Sequence, residues 1–258
     1  IAEATGVKKE ISKKSGKNRG IRKALTTEQQ RIFMEYIAGH PIFYHWWPLF
    51  TVLLGTGCRI GEAISLRWDD LDFENRVISV NHGIVYYRSS DRKQQLMRIS
   101  LPKTEAGIRT IPMLDVVKTA FEMEREQQMD AYGGLNEQVI DGMTGFVFQN
   151  SEGRVPNPQT VNQAIRRITE HYNDEELLKA AKEKREPVLL PHFSCHHLRH
   201  TFCTRFCENE TNVKVIQAVM GHSDINTTMN IYAEVTEGKK RESIEHLSKN
   251  MIIFRKES

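Results

Sequence analysis

The sequence predicts a mainly α fold with a small antiparallel β-sheet inserted in it, which is an α+β arrangement. Apolar residues recur at helical spacing through most of the chain, but between Arg76 and Pro112 they form short runs separated by turn sequences. The chain has 258 residues, of which 39% are hydrophobic and 27% charged, so it can bury a full core. We find no apolar run long enough to cross a bilayer and no signal peptide.

The first 23 residues are strongly basic, with eight lysines and arginines against two glutamates. Such a segment, interspersed with glycine and serine, is not expected to fold alone. It could bind the phosphate backbone of a nucleic acid, or it could be a solubilising linker, and both interpretations stay open. Because the chain begins with Ile1, we also expect it to be part of a longer protein.

Folded structure is predicted to begin near Leu25. Thr26 and Gln29 have the spacing of a capping box, and the apolar residues after them mark one face of a helix. A second, buried helix is expected from about His45 to Leu54, and a short third helix from about Arg59 to Leu66.

The pattern then changes to strands. Four short strands are predicted at 77–80, 84–86, 97–101 and 108–111, with turn signals at 81–83 and 105–107 between them. We therefore expect one small antiparallel sheet within an otherwise helical protein.

Helices return after Leu114. We expect a long amphipathic helix there, a loop over 132–141 and another helix from Pro158. The charged segment Asn173–Glu186 is predicted to be an exposed helical insert. Four short helices are expected to complete the chain: His196–Asn209, Val213–Met220, Asn226–Ala233 and Lys240–Asn250.

The four cysteines form no Cys-x-x-Cys pair. They are Cys58, Cys195, Cys203 and Cys207. Without a secretory signal, they are interpreted as reduced thiols of a cytosolic protein. We expect Cys203 and Cys207 to share a helix face as small core residues.

Two arginines stand in contexts suited to binding a phosphodiester. Arg59 lies in the segment 56–62 (TGCRIGE) and Arg199 in the segment 195–202 (CHHLRHTF). A guanidinium keeps its charge, bonds two oxygens at once and can neutralise the charge that builds in the transition state. Glu62 follows Arg59 by three residues and His196 precedes Arg199 by three, so each pair is expected on one helix face.

A histidine and a tyrosine follow, ten residues apart. His222 ends the segment 220–222 (MGH) and Tyr232 ends the segment 226–232 (NTTMNIY). An imidazole can move a proton or donate to a phosphate oxygen, and a phenol can attack phosphorus. A lone tyrosine is usually a core or surface aromatic, so the preceding segments decide its interpretation.

Taken in order, these segments resemble the motif boxes of the tyrosine recombinases, the integrase family that cuts and rejoins DNA through a phosphotyrosine. The resemblance covers about residues 25–254 and implies the catalytic-domain fold of that family. It implies that Tyr232 is the nucleophile, that Arg59 and Arg199 clamp the scissile phosphate, and that His222 hydrogen-bonds it.

Further roles follow from the resemblance. His196 would accept a proton or donate to the phosphate, Glu62 would brace the site without reacting, and His200 would be structural.

Lys103 would be the general acid that protonates the leaving 5′-oxygen. The segment 101–112 (LPKTEAGIRTIP) resembles the strand-turn-strand Lys-Thr…Arg-x-Ile-Pro pattern of the family. Lys93 and Lys118 are the other candidates, but neither has this context.

A metal site is the competing interpretation of one segment. His196 and His200 have the i, i+4 spacing of helical zinc ligands, and Cys203 and Cys207 are near in sequence. The expected glutamate after the first histidine is replaced by His197, however. Because no paired-carboxylate nuclease motif or phosphate-binding loop stands out either, we expect no metal and no other cofactor in the reaction.

The resemblance implies a site-specific DNA recombinase that forms a 3′-phosphotyrosine, as the integrase of a prophage or conjugative transposon. Its partner would be double-stranded DNA with specific recombination sites. On this DNA a homotetramer would exchange strands through a Holliday junction, and a directionality factor could assist. We expect it in the bacterial cytoplasm, at the nucleoid and not at a membrane. A Xer-like resolvase of chromosome or plasmid dimers, a type IB topoisomerase and a non-catalytic DNA-binding relative are the alternatives.

The same resemblance predicts the domain organisation. Residues 1–24 would be a basic linker from a missing N-terminal core-binding domain, and residues 25–258 would be the catalytic domain with a C-terminal tail helix. That tail would pack either on a neighbouring subunit or on its own core.

Overall fold

In a computed structural model of the chain, residues 24–88, 95–102 and 104–236 are described. The basic segment 1–23, Lys103 and the predicted helix Lys240–Asn250 lie outside the described residues. Within those residues, none of the helices is both long enough and apolar enough to cross a membrane.

The described part of the chain is mainly helical, as predicted. Thr26 caps the first helix, and its side chain and that of Gln29 each accept a hydrogen bond from the other's backbone N–H. The helices are α1 (Thr27–Gly39), α2 (Trp47–Thr56), α3 (Ile60–Ala63), α4 (Asp115–Tyr132), α5 (Pro158–Glu183), α6 (Cys195–Asn209), α7 (Val213–Met220) and α8 (225–236).

The strands lie between α3 and α4, at the predicted positions, with one short strand before them. They are β1 (Leu71–Asp72), β2 (Val77–Val80), β3 (Gly83–Arg88), β4 (Gln95–Ser100) and β5 (Arg109–Pro112). Antiparallel pairing joins β1, β2 and β5 in that spatial order, with Ile78 opposite both Leu71 and Ile111. β3 and β4 form a separate antiparallel pair. The strands are thus divided between two sheets, where the sequence predicted one.

Helix α2 lies at the centre of the main core and contacts α1, α4 and α6. Its residues Leu49, Phe50, Val52 and Leu53 are all buried, which is expected for a helix that is apolar on every side. Gly55 lets α4 approach closely, since a Cβ there would lie 2.4 Å from Val117 Cγ2. The core therefore fixes the position of the end of α2, and Arg59 lies three residues after that end.

A smaller core cluster joins α6, α7 and α8. Cys203, Cys207, Ile216 and Met220 are buried in it, and Phe202, Phe206, Ile231, Tyr232 and Val235 pack against it. Both cysteines are free thiols. Their interpretation as small core residues is confirmed.

The charged segment Asn173–Glu186 is helical up to Glu183, where α5 ends, and most of its residues are exposed, as predicted. It continues α5 and does not form a separate insert, and Glu176 and Ala180 within it are buried. Arg185 donates to both carboxylate oxygens of Glu176, and the backbone N–H of Val188 donates to one of them. The segment after α5 thereby folds back against the helix at Glu176.

Candidate functional site

The site begins where α2 turns into α3. Gly57 ends α2 with φ +64°, a conformation that favours glycine, and a Cβ there would lie 2.3 Å from a ring atom of Phe202. Two residues later, Arg59 is the N-cap residue of α3. α3 is shorter than predicted, at a single turn, and it brings the Glu62 carboxylate within hydrogen-bonding distance of Arg59.

Arg59 is held by Glu62 and yet remains half-exposed. Its Nη1 donates to Glu62 Oε1 at 2.7 Å, and its backbone N–H donates to Glu62 Oε2 at 2.8 Å. Nη2 reaches the carbonyl oxygen of Gly221 at 3.4 Å. Because 49% of the Arg59 side chain is exposed, the guanidinium can still bind an anion from solution.

Arg199 is buried and joins two chain segments. Nη1 donates to the carbonyl of Gly57 at 2.5 Å, and Nη2 donates to the carbonyl of Met220 at 2.6 Å. Burial, and then the charge of Arg59, lower the pKa of Arg199 to about 10, so the side chain stays protonated at neutral pH. The ends of α2 and α7 are therefore held together by one cation.

Glu62 lies between three arginines. Its Oε2 accepts from Arg109 Nη2 at 2.8 Å and lies 3.9 Å from Arg199 Nη1, in addition to its bonds with Arg59. Burial raises the pKa of Glu62, but the hydrogen bond and charge of Arg109, and then the bonds of Arg59, outweigh it and hold the pKa at about 2. The carboxylate is ionised throughout the physiological range.

Arg109 is not among the residues singled out from the sequence, where it enters only as part of segment 101–112. It lies on β5, is 9% exposed, and donates from Nε to the carbonyl of Val219 at 2.8 Å. Burial alternates along β5, with Arg109 and Ile111 inside and Thr110 and Pro112 outside. This two-residue period was the available signal, since it places an arginine on the apolar face of a strand.

His222 follows the turn that ends α7. It is buried, and its Nδ1 lies 2.9 Å from the hydroxyl of Thr228 on α8. Burial, followed by the charges of Arg199, Arg59 and Arg109, lowers the pKa of His222 to about 4. The imidazole is neutral at pH 7, and in the tautomer whose Nδ1 accepts from Thr228, Nε2 carries a hydrogen for an acceptor.

Tyr232 lies on α8 and is half-buried against the smaller core cluster. Met220 belongs to that cluster, and its carbonyl oxygen accepts the hydrogen bond from Arg199. The helix that carries the tyrosine is thus packed against the same residue that holds the arginine.

The predicted histidines of α6 differ in their surroundings. His196 is exposed in the first turn of the helix, three residues before the buried Arg199. His197 caps the helix, where its Nδ1 accepts from the backbone N–H of Ser194 at 3.2 Å. His200 is half-buried, with Nδ1 3.4 Å from the hydroxyl of Thr204.

Lys103 lies outside the described residues, but the turn after it borders the site. This turn, Glu105–Gly107, connects β4 and β5. A Cβ added to Gly221 would lie 3.0 Å from the carbonyl oxygen of Ala106. The β4–β5 connection therefore touches the chain immediately before His222.

Among the described residues, one group could offer three ligands to a metal ion, and it lies outside the segment 196–207 that was weighed as a zinc site. It consists of His40, His171 and Glu175. The hydroxyl of Tyr36 already lies 2.6 Å from His171 Nδ1 and donates to Glu175 Oε2 at 2.9 Å. These hydrogen bonds account for the group without an ion.

The arrangement suits an anionic ligand with tetrahedral oxygens. Three guanidinium groups surround one carboxylate, and a neutral imidazole lies beside them. Buried or half-buried donors of this kind stabilise charge that develops on a phosphoryl group. The site therefore has the donors and charge for binding a phosphodiester.

Comparisons with known proteins show which family this chain is similar to. The model of the phage integrase family matches residues 23–239. The transposase from transposon Tn916 of Enterococcus faecalis is 30% identical over 232 residues, which cover 87% of this chain and 51% of that protein. A XerC-like tyrosine recombinase of Caldanaerobacter subterraneus is 28% identical, over 86% of this chain and 52% of that protein.

Solved structures give the same fold. The integrase of transposon Tn1549 in complex with transposon right end DNA has a TM-score of 0.71 and 32% identity, over 90% of this chain and 68% of that one. The XerA recombinase has a TM-score of 0.57 at 17% identity, over 92% of this chain and 66% of that one, and shares the fold. The chain spans about half the length of the curated relatives it matches. By the family model, which matches most of its length, this chain belongs to the phage integrase family.

Proposed function

We propose that this chain is the catalytic part of a site-specific DNA recombinase, the integrase of a conjugative transposon. The observation that carries the proposal is the convergence of Arg59, Arg199 and His222 at Met220–His222, with about half of the Arg59 side chain exposed to solvent. The relatives from transposons Tn916 and Tn1549 support the choice of element.

The reaction would proceed in two transesterifications. The Tyr232 phenol oxygen would attack the scissile phosphorus, forming the P–O bond of a 3′-phosphotyrosine while the bond to the 5′-oxygen breaks. The tyrosine proton would pass to His196, and Lys103 would give a proton to the leaving 5′-oxygen. The 5′-hydroxyl of a second strand would then reverse these steps, so no external energy source is needed.

The other residues would bind the phosphate or support the residues that bind it. Arg59 and Arg199 would neutralise its non-bridging oxygens, and His222 would donate a hydrogen bond as a neutral imidazole. Glu62 would hold Arg59, and His200 would support α6. His196 fits a proton acceptor, since it is exposed at the start of α6.

The assembly and its location are further parts of the proposal. Four protomers would join two DNA duplexes that carry specific sites and pass through a Holliday junction, with a directionality factor biasing excision. Residues 1–24 would link residues 25–258 to a core-binding domain, and the protein would act at the nucleoid of a bacterial cytoplasm.

Trapping the covalent intermediate tests the proposal. The full-length protein would be mixed in EDTA with a nicked suicide duplex from the end of its own element, and denaturing gels would detect labelled DNA joined to protein. We expect a band with the wild type and with Tyr44→Phe, an exposed control tyrosine, and none with Tyr232→Phe.

Other outcomes would change the assignment. A band that persists in Tyr232→Phe would identify another nucleophile. Cleavage of chromosomal dimer-resolution sites instead of element ends would favour a Xer-like resolvase. Binding to element ends without any covalent product would favour a non-catalytic relative.

A further inference from the structure

We propose that Arg109 is a positioning residue whose positive charge offsets the negative charge of Glu62. The positive charges of Arg59 and Arg199 then remain available to the DNA phosphate. This inference rests on the proposed function and assigns to Arg109 the role of counter-ion to Glu62, which none of the residues proposed above to act in the reaction fills. It follows from where Arg109 lies and from the balance of charges.

Arg109 lies behind the site and not on its surface. Nη2 and Nε are engaged by Glu62 Oε2 and by the carbonyl oxygen of Val219, each at 2.8 Å. A Cβ on Gly221 would lie 2.8 Å from Arg109 Nη1, so the Gly221 backbone lies directly over this nitrogen. A phosphate cannot reach Arg109 unless that backbone moves.

The balance of charge explains why a buried arginine is useful there. Arg59 and Arg199 alone would share two positive charges with the ionised carboxylate of Glu62, leaving one for the substrate. Arg109 restores the second. The phosphoryl oxygens carry one negative charge in the bound diester and gain more in the transition state, so the second positive charge contributes most there.

Glu62 makes this compensation necessary. Both of its oxygens are occupied, and it fixes Arg59 through the side chain and through the backbone N–H. Without Arg109, the Glu62 carboxylate would be left partly buried beside the two arginines that are to bind phosphate. Its attraction would then compete with the DNA for the Arg59 and Arg199 guanidiniums.

A double-mutant comparison tests the proposal. Arg109→Met, Glu62→Gln and the double variant would be prepared in the full-length protein. Arg166→Met serves as the matched control, because Arg166 lies on α5 with an exposed side chain. Single-turnover cleavage of the suicide duplex and the Kd for the same DNA would be measured for each.

We expect Arg109→Met to slow cleavage on the order of 10- to 100-fold, with little change in Kd. The double variant should cleave faster than Arg109→Met, because removing the carboxylate restores the charge balance. A methylphosphonate at the scissile position, which lacks one negative charge, should reduce the Arg109→Met defect. A purely structural role for Arg109 predicts neither effect.

Three results would overturn the proposal: an Arg109→Met rate equal to that of the control, a double variant no faster than Arg109→Met, or a defect that is unchanged on the methylphosphonate. If Arg109→Met does not fold, folding of the double variant supports the counter-ion role. If neither folds, Arg109→Lys decides: cleavage within about tenfold of wild type supports a role of charge, and complete loss contradicts it. Failure of the wild-type protein to form a covalent complex would instead contradict the proposed function.

Discussion

The Nη2 atom of Arg199 donates a 2.6 Å hydrogen bond to the carbonyl oxygen of Met220, while Nη1 of the same side chain donates to Gly57. Residues 57 and 220 are far apart in the chain, and each ends a helix. One buried guanidinium therefore satisfies carbonyl oxygens at two helix ends and fixes the distance between Arg59 and His222.

Arg199→Lys is expected to lose stability as well as cleavage. A lysine ammonium donates from one nitrogen on a shorter side chain and lacks the two separate Nη atoms that bond the two carbonyl oxygens. At least one buried acceptor is therefore expected to lose its partner, at a cost of about 2 kcal/mol in the free energy of unfolding. Cleavage should fall on the order of 100-fold. Urea unfolding and covalent trapping measure the two effects.

The control for this variant is Arg166→Lys, where the arginine is exposed. It should change the free energy of unfolding by less than about 0.5 kcal/mol. Equal stability of the two lysine variants would contradict the bridging role assigned to Arg199.

Gly221→Ala is expected to disturb the site from its backbone. Gly221 has φ +61°, and a Cβ would lie 2.8 Å from Arg109 Nη1 and 3.0 Å from the carbonyl oxygen of Ala106. The left-handed conformation costs about 1–2 kcal/mol with alanine, and the contacts require Arg109 or the β4–β5 turn to move. The midpoint temperature of thermal unfolding and the rate of DNA cleavage should both fall.

Gly39→Ala is the matched control for that substitution, because no atom lies within 4 Å of a Cβ at this helix end. It should leave cleavage unchanged. If Gly221→Ala cleaves DNA as fast as Gly39→Ala, the close contact between the α7 end and Arg109 is not needed for the reaction.

The lowered pKa of His222 predicts that the free energy of unfolding decreases at acid pH. The pKa of His222 is about 4 in the folded protein, against about 6.5 for an ordinary histidine. Between these values the unfolded chain binds the proton and the folded protein does not, so the free energy of unfolding falls as pH drops. The full contribution is present above about pH 6.5 and amounts to at most about 3 kcal/mol.

Urea unfolding at pH 7.5 and 5.0 measures this contribution. His222→Gln should lose less stability between the two pH values than the wild type, whereas His192→Gln, at an exposed histidine, should lose as much. Equal losses in all three proteins would mean that His222 titrates like a solvent-exposed histidine.

Local sequence rules were sufficient for most of the described helices and strands. The capping box at Thr26 and the bounds Val213–Met220 depend on neighbouring residues only, and the structure has both as predicted. The position of Arg109 depends on its contact with Glu62, 47 residues earlier in the chain. The segment that folds back after α5 depends on the contact of Arg185 with Glu176, nine residues earlier. Neither an ion pair between a strand and a helix nor the burial of one glutamate on a charged helix is visible in local periodicity.

Glu124, which lies away from the candidate site, is expected to make stability depend on pH in the direction opposite to that of His222. It lies on α4 and is 6% exposed, and burial raises its pKa to about 7 despite hydrogen bonds from Gln128 and the backbone of Gln149. Between the ordinary value of about 4.3 and pH 7, the folded protein holds a proton that the unfolded chain has lost. Stability conferred by Glu124 is therefore present at low pH and lost as pH rises through 7.

Glu124→Gln keeps the shape of this side chain and removes the titration. We expect the wild type to lose about 2 kcal/mol more than this variant between pH 5 and pH 8, measured by urea unfolding. Glu122→Gln, on the exposed face of the same helix, should follow the wild type at both pH values. If Glu124→Gln also follows the wild type, the Glu124 carboxyl is ionised at an ordinary pKa, and water must reach it in the folded protein.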